Sequence, residues 1–235
     1  EHALGLDVSF RWRSARASGE ITYFRNDISN YLFRRPLTEE EFDERLPEFA
    51  RRFPGRGIAE EEHDHAGDQV EAAAAAEEEE GHGHEFPFVE YVSADSLLQG
   101  VEAHGDFQLT SHVSAEIGLD YVRGSLKATD EPLPRIPPLR FRGGLRYHYN
   151  AFQAGGEFTV SAGQDRVFDT EERTAGSQLL KLFAAYSFQT GTAVNTITAR
   201  VDNLTDELYR NHLSYIKHLV PEMGRNFRLL YGVRF

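Results

Sequence analysis

The chain has 235 residues, 40% of them hydrophobic, with no cysteine and a formal net charge of −13. A disulfide framework and thiolate chemistry are excluded, and no apolar run approaches the roughly 18 residues of a membrane helix. The charge is uneven: Pro36–Glu90 carries 18 Asp and Glu against 4 Arg, a local charge of −14 that leaves the remainder at +1 and argues against a nucleic-acid partner.

The chain opens on a strand rather than on a secretory leader, so it is expected to begin inside a longer protein. In the first strand (3–13) Leu4, Leu6, Val8, Phe10 and Trp12 alternate with Asp7, Ser9 and Arg11. The second (17–34) sets Gly19, Ile21 and Tyr23 against Glu20 and Thr22. After a long connection, 35–85, the third (86–110) alternates Val101, Ala103 and Phe107 with Glu102, His104 and Asp106. The fourth (112–125) opposes Val113, Ala115, Ile117, Leu119 and Tyr121 to Ser114, Glu116 and Asp120. The fifth (138–149) puts Arg140, Arg142, Arg146 and His148 on one face and Leu139, Phe141, Leu145, Tyr147 and Tyr149 on the other. Strands are further expected at 151–163, 178–190 and 194–204. The ninth, 224–235, places Phe227, Leu229, Tyr231, Val233 and Phe235 opposite Arg228 and Arg234. Period-2 alternation of this kind makes one face of a sheet apolar and the other polar.

Connection lengths decide which sheet this is. Short connections near Ser14–Arg16, Ser111, Asn150 and Gly191 alternate with long ones at Arg35–Glu85, Leu126–Pro137, Gln164–Ser177 and Thr205–Met223. Strict short–long parity, with strands beyond the usual 5–6 residues, is the pattern of a transmembrane β-barrel. Three arginines on one face of the fifth strand would cost several kcal/mol each in a dry core and nothing comparable in a wet lumen. The expected fold class is all-β: an antiparallel transmembrane barrel whose nine strands are the C-terminal portion of a larger, even-stranded one. A soluble antiparallel sheet with one solvated face is the alternative.

The long connection carries a concentration of metal-ligating side chains. It reads Glu60-Glu-Glu-His-Asp-His-Ala-Gly-Asp68, then an alanine–glutamate run, then Gly81-His-Gly-His-Glu85. Four of the ten histidines, His63, His65, His82 and His84, fall within 22 residues. In an extended chain, i, i+2 spacing puts both imidazoles of a pair on one side, and two pairs supply the four nitrogens of a tetrahedral site. Asp64, Glu85 and, more weakly, Glu62 add carboxylates, and the −14 charge draws cations by steering. A solvated acidic loop with incidental histidines is the alternative. Glu102 and His104, on the lumen face, offer a second and weaker metal position or else simply line the wall. His212 and His218, with Tyr209 and Tyr215 in the last long connection, are candidates for closing over a ligand. No catalytic constellation stands out: Ser111-His112 lie at a short turn without an orienting acid, and no enzyme or catalytic cofactor is expected.

Several stretches resemble the C-terminal half of TonB-dependent outer-membrane receptors. Val201-Asp-Asn-Leu-Thr-Asp-Glu-Leu-Tyr209 resembles their penultimate-strand motif, and Pro221-Glu-Met-Gly-Arg-Asn-Phe227 the opening of their last strand. Leu133-Pro-Arg-Ile-Pro-Pro-Leu-Arg140 and Leu97-Leu-Gln-Gly-Val-Glu102 resemble two earlier landmarks. The resemblance implies a barrel of about 22 strands in the outer membrane of a Gram-negative bacterium. It implies an N-terminal plug absent from this chain, contact with the TonB complex through it, surrounding outer-membrane lipid, and recognition of Phe235 by the barrel-assembly machinery. Residues 1–235 would then be one barrel portion. The His/acid loop is similar to those of zinc-uptake members, which makes zinc ion (Zn2+) the expected cargo; nickel, cobalt and copper remain alternatives. A siderophore, haem or other complexed nutrient is a second reading, and a passive porin-like or structural barrel a third.

Overall fold

A computed structural model describes residues 1–37, 41, 44, 45, 47, 51, 89–169 and 171–235. Among the described residues nine strands form: β1 His2–Arg13, β2 Ala17–Pro36, β3 Val89–Gln108, β4 Val113–Leu126, β5 Arg140–Tyr149, β6 Phe152–Ser161, β7 Ser177–Thr190, β8 Ala193–Asp202 and β9 Asn226–Arg234. They lie in one sheet in simple chain order from β1 to β9. The registers that join β1 to β2 and β3 through β9 are antiparallel throughout. All nine expected strands are present, with ends shifted by at most a few residues.

The short connections are tight because their residues suit tight turns. Asn150 and Gly191 take left-handed φ of 50° and 59° in the two-residue links of β5–β6 and β7–β8, which Asn and Gly tolerate best. Between β1 and β2, the Ser14 hydroxyl accepts the Ala17 N–H at 3.0 Å. The long connections 127–139, 162–176 and 203–225 all leave the opposite end of the sheet.

Packing separates this sheet from a soluble one. The buried apolar side chains among the described residues are only Phe33, Leu126, Leu133 and Phe168. The apolar face is bare: Leu4 is 77%, Phe10 66%, Phe227 74% and Leu229 78% exposed. The buried apolar residues gather at the long-connection end, where Phe33 and Phe168 meet edge to face at 5.4 Å. A soluble sandwich covers its apolar face with a second layer. Here that face awaits a solvent of its own polarity, and burying it in hydrocarbon is worth about 25 cal/mol per Å2.

The chain divides into two compact units, Glu1–Phe33 with Ser93–Phe235, and Arg34–Val92. Within the second, the Arg35 guanidinium donates to Glu41 at 2.8 and 3.1 Å and also to Glu90, which Arg45 reaches as well. Acidic side chains at the foot of the long connection are therefore partly neutralised locally.

Candidate functional site

The polar face is a wall of compensated charge. Strand alternation brings Asp120 of β4 opposite Arg140 of β5, and Gly118 opposite Arg142. Asp120 accepts from Arg140 Nε at 3.1 Å and from Arg142 Nη2 at 3.2 Å. Arg146 donates to both oxygens of Glu116, at 3.1 and 3.2 Å. On β8 and β9, Asp202 receives both Arg200 and Arg228. These arginines are roughly half exposed, as groups facing water are, and each pair contributes at most about 1 kcal/mol.

His104 borders a recess of about 270 Å3 in this wall, together with Asp106, Glu116, Arg142 and Glu157. Glu116 is paired with Arg146 and Arg142 with Asp120, so Asp106 and Glu157 leave the recess a modest excess of negative charge. Glu102 and His104 stand opposite Asp120 and Gly118 across β3–β4. Among the described residues no three His, Asp or Glu side chains come together in a metal-holding geometry.

A buried polar cluster lies at the long-connection end. Glu171 comes from 162–176; His212 and Lys217 come from 203–225. Lys217 Nζ lies 3.0 Å from Glu171 Oε1 and 3.3 Å from His212 Nδ1. Thr174 Oγ1 is 2.9 Å from the same Nδ1. Glu171 Oε2 also accepts the Arg135 N–H at 2.9 Å, which ties in 127–139, and the Arg135 guanidinium lies over the Tyr215 ring. His212 is 3% exposed and Lys217 6%. Because Lys217 can only donate, Nδ1 is an acceptor and the ring proton sits on Nε2. Nε2 is 3.3 Å from Glu171 Oε1 but makes no aligned hydrogen bond, so this contact is electrostatic only. Burial first, and Lys217 second, hold His212 below its ordinary pKa of 6.5, against the opposing pull of Glu171. His212 is thus sealed inside the rim rather than presented to a ligand.

Two of the sequence motifs gain a physical reason. Asn203 takes a left-handed φ of 50° and is 4% exposed. Its amide donates to the Glu207 carbonyl at 2.9 Å and the Met223 carbonyl at 3.3 Å, while its Oδ1 accepts the Glu207 N–H at 2.8 Å. Asp206 accepts the Arg225 N–H at 2.7 Å. The Asn-Leu and Gly-Arg stretches are thus two halves of one clamp closing 203–225. Gly100 has no room for a side chain: a Cβ would lie 2.2 Å from the Tyr121 carbonyl oxygen and 2.6 Å from the Phe24 ring.

His63, Asp64, His65, His82, His84, Glu85 and Glu62, the main metal candidates, lie outside the described residues. Glu102 and His104 are on the wall, on the face expected. Glu171 and Lys217, which complete the rim cluster, carried no sequence signal: each is an ordinary charged loop residue, 46 positions from the other.

A nine-stranded sheet with one bare apolar face, one charge-lined face and long connections at a single end is a portion of a transmembrane barrel. Residues 1–204 match the family described as TonB dependent receptor-like, beta-barrel, and the chain belongs to that family. It is a family of the Gram-negative outer membrane, and the apolar face is the surface that meets lipid there. Solved structures agree in fold. The chain is similar to the copper transporter OprC, with a TM-score of 0.69 and 21% identity over 98% of this chain and 30% of that one. It is similar to the ferric citrate transporter FecA in its unliganded form, at 0.63 and 14%, covering 98% and 31%. It is also similar to BauA, the ferric preacinetobactin receptor from Acinetobacter baumannii, at 0.61 and 14%, covering 98% and 29%. The chain spans about 30% of the length of these structures.

Proposed function

We propose that this chain is the C-terminal barrel portion of a receptor that imports a metal ion, zinc in the first place, in an energised, TonB-dependent step. The observation that carries this reading is the coincidence of His63, His65, His82 and His84 with Asp64, Glu85 and Glu62 in the −14 segment. That segment joins β2 to β3 and so leaves the sheet at the long-connection end, which in this family faces the outside of the cell. Imidazole and carboxylate together suit zinc and its neighbours. A captured ion would pass a lumen wall whose recess is lined by His104, Asp106 and Glu157, with Glu102 and His104 as a weaker second contact. The chemistry is binding and release, without catalysis and without a resident cofactor. A plug preceding these strands would gate the path and contact TonB, and Phe235 would be read by the assembly machinery.

The test is radioactive zinc uptake by cells expressing the full-length receptor, with and without TonB, and with His63, His65, His82 and His84 changed to Ala. Uptake should require both TonB and the histidines. Uptake indifferent to TonB would show a passive barrel. TonB-dependent uptake of a ferric chelate but not of zinc, unaffected by the four substitutions, would establish a complexed nutrient as cargo. The iron complexes named for FecA and BauA favour that second reading.

A further inference from the structure

The cluster of Glu171, His212 and Lys217 has a property that the uptake reading does not use. It joins connections that otherwise leave the sheet separately, and it does so with a buried imidazole.

We propose that Glu171, His212 and Lys217 form an acid-sensitive latch holding the extracellular connections 162–176 and 203–225 together. At neutral pH the trio is balanced: one carboxylate, one ammonium and one neutral ring. Nδ1 of His212 is the acceptor that both Lys217 Nζ, at 3.3 Å, and Thr174 Oγ1, at 2.9 Å, approach. Protonation turns that acceptor into a donor. Thr174 can rotate its hydroxyl and accept instead; an ammonium cannot. Two cations would then face each other at 3.3 Å in a site from which water is largely excluded. Their shared counter-ion, Glu171, is already committed to Lys217 at 3.0 Å and to the Arg135 N–H at 2.9 Å.

The surrounding charges do not rescue the protonated ring. Glu171 faces it from 162–176 and favours protonation. Arg135 from 127–139, and Lys217 and Arg210 from its own connection, are cations; Arg210 donates to the Lys217 carbonyl and fixes that segment in place. Opening the latch releases the ring to water and relieves the repulsion. The sign follows from the lowered pKa of the closed form: the open form binds the extra proton, so closure is fully favoured above the ordinary histidine value of 6.5 and weakens as pH falls below it.

The test uses the full-length receptor in lipid nanodiscs, spin-labelled at Glu172→Cys and Leu219→Cys, both exposed positions on the two connections. This chain has no native cysteine to compete for label. Electron–electron distances are recorded at pH 7.5 and 5.5. The expected result is one narrow distribution at pH 7.5 and a broader, longer one at 5.5. His212→Asn keeps an acceptor near the Nδ1 position but cannot take the proton, and should stay narrow at both pH values. Lys217→Met should reverse the response, since His212 would then protonate more readily and pair with Glu171 itself: broad at 7.5, narrower at 5.5. A wild-type distribution narrow at both pH values overturns the latch, as does opening of His212→Asn at the wild-type pH. Should His212→Asn fail to fold, a Lys217→Met response of the wild-type sign overturns it alone. No outcome depends on which cargo the receptor carries.

Discussion

Arg200 and Arg228 are direct register partners on β8 and β9, and both guanidinium groups end on the carboxylate of Asp202. Like charges placed opposite each other destabilise a strand pair. Here one shared anion converts the repulsion into a bridge that fastens the last strand to its neighbour.

Asp202→Asn should therefore loosen β9 specifically. It removes two partly exposed ion pairs and uncovers the repulsion between the arginines, a loss of about 1–2 kcal/mol. The midpoint of the heat-induced mobility shift on detergent gels should fall. The double change Asp202→Asn, Arg228→Gln should recover much of the loss, because the repelling pair is gone.

Gly100→Ala should be far more damaging than a single methyl suggests. The clash at 2.2 Å is with a backbone carbonyl of β4, which cannot swing away as the end of a side chain can. Overpacking of this kind costs about 1–3 kcal/mol. Phe24→Leu made together with it should restore little, because the ring at 2.6 Å is the lesser obstacle. Urea unfolding of the purified receptor in detergent would measure both.

Asn203→Ala removes three part-buried hydrogen bonds, each contributing about 0.5–1.5 kcal/mol. Asn203→Gly keeps the left-handed backbone at no steric cost yet also loses the amide. It should recover only the roughly 1–2 kcal/mol that a Cβ costs in that conformation, which separates the amide's role from that of the backbone. Protease access to 203–225 should rise in both variants.

The −14 segment should make the capture of divalent cations salt-dependent. Steering by exposed charge is screened over about 8 Å at physiological ionic strength. Initial zinc uptake should fall as sodium chloride is raised at constant zinc. Changing Glu77, Glu78, Glu79 and Glu80 to Gln should flatten that dependence while leaving the histidine requirement intact. Equal salt slopes in the two proteins would assign the effect elsewhere.

The strands were readable because each carries a period-2 signal in its own residues: Arg140, Arg142 and Arg146 announce one face of β5 without reference to any other strand. The alternation of short and long connections then supplied the topology, since neighbouring strands pair in chain order. The rim was opaque for the opposite reason. His212 has the residue type and loop position of a ligand-closing group, yet it packs on Glu171 and Lys217, and only the approach of 162–176 to 203–225 shows it. Gly100 and Asn203 lie between these cases: the motifs marked them, but the carbonyl of Tyr121 and that of Met223 explain them.

The bare apolar face has a consequence for how such a chain reaches its membrane. Read along the strand, every lipid-facing residue is followed by one facing the lumen, so β5 places Arg140, Arg142 and Arg146 within seven residues. Were that stretch to enter the inner membrane as a helix, each arginine near the centre would cost about 2.5–3.5 kcal/mol. The insertion machinery of the first membrane the polypeptide meets therefore finds no span to retain in β5. The lipid-binding surface comes into existence only when the strands pair, at its destination.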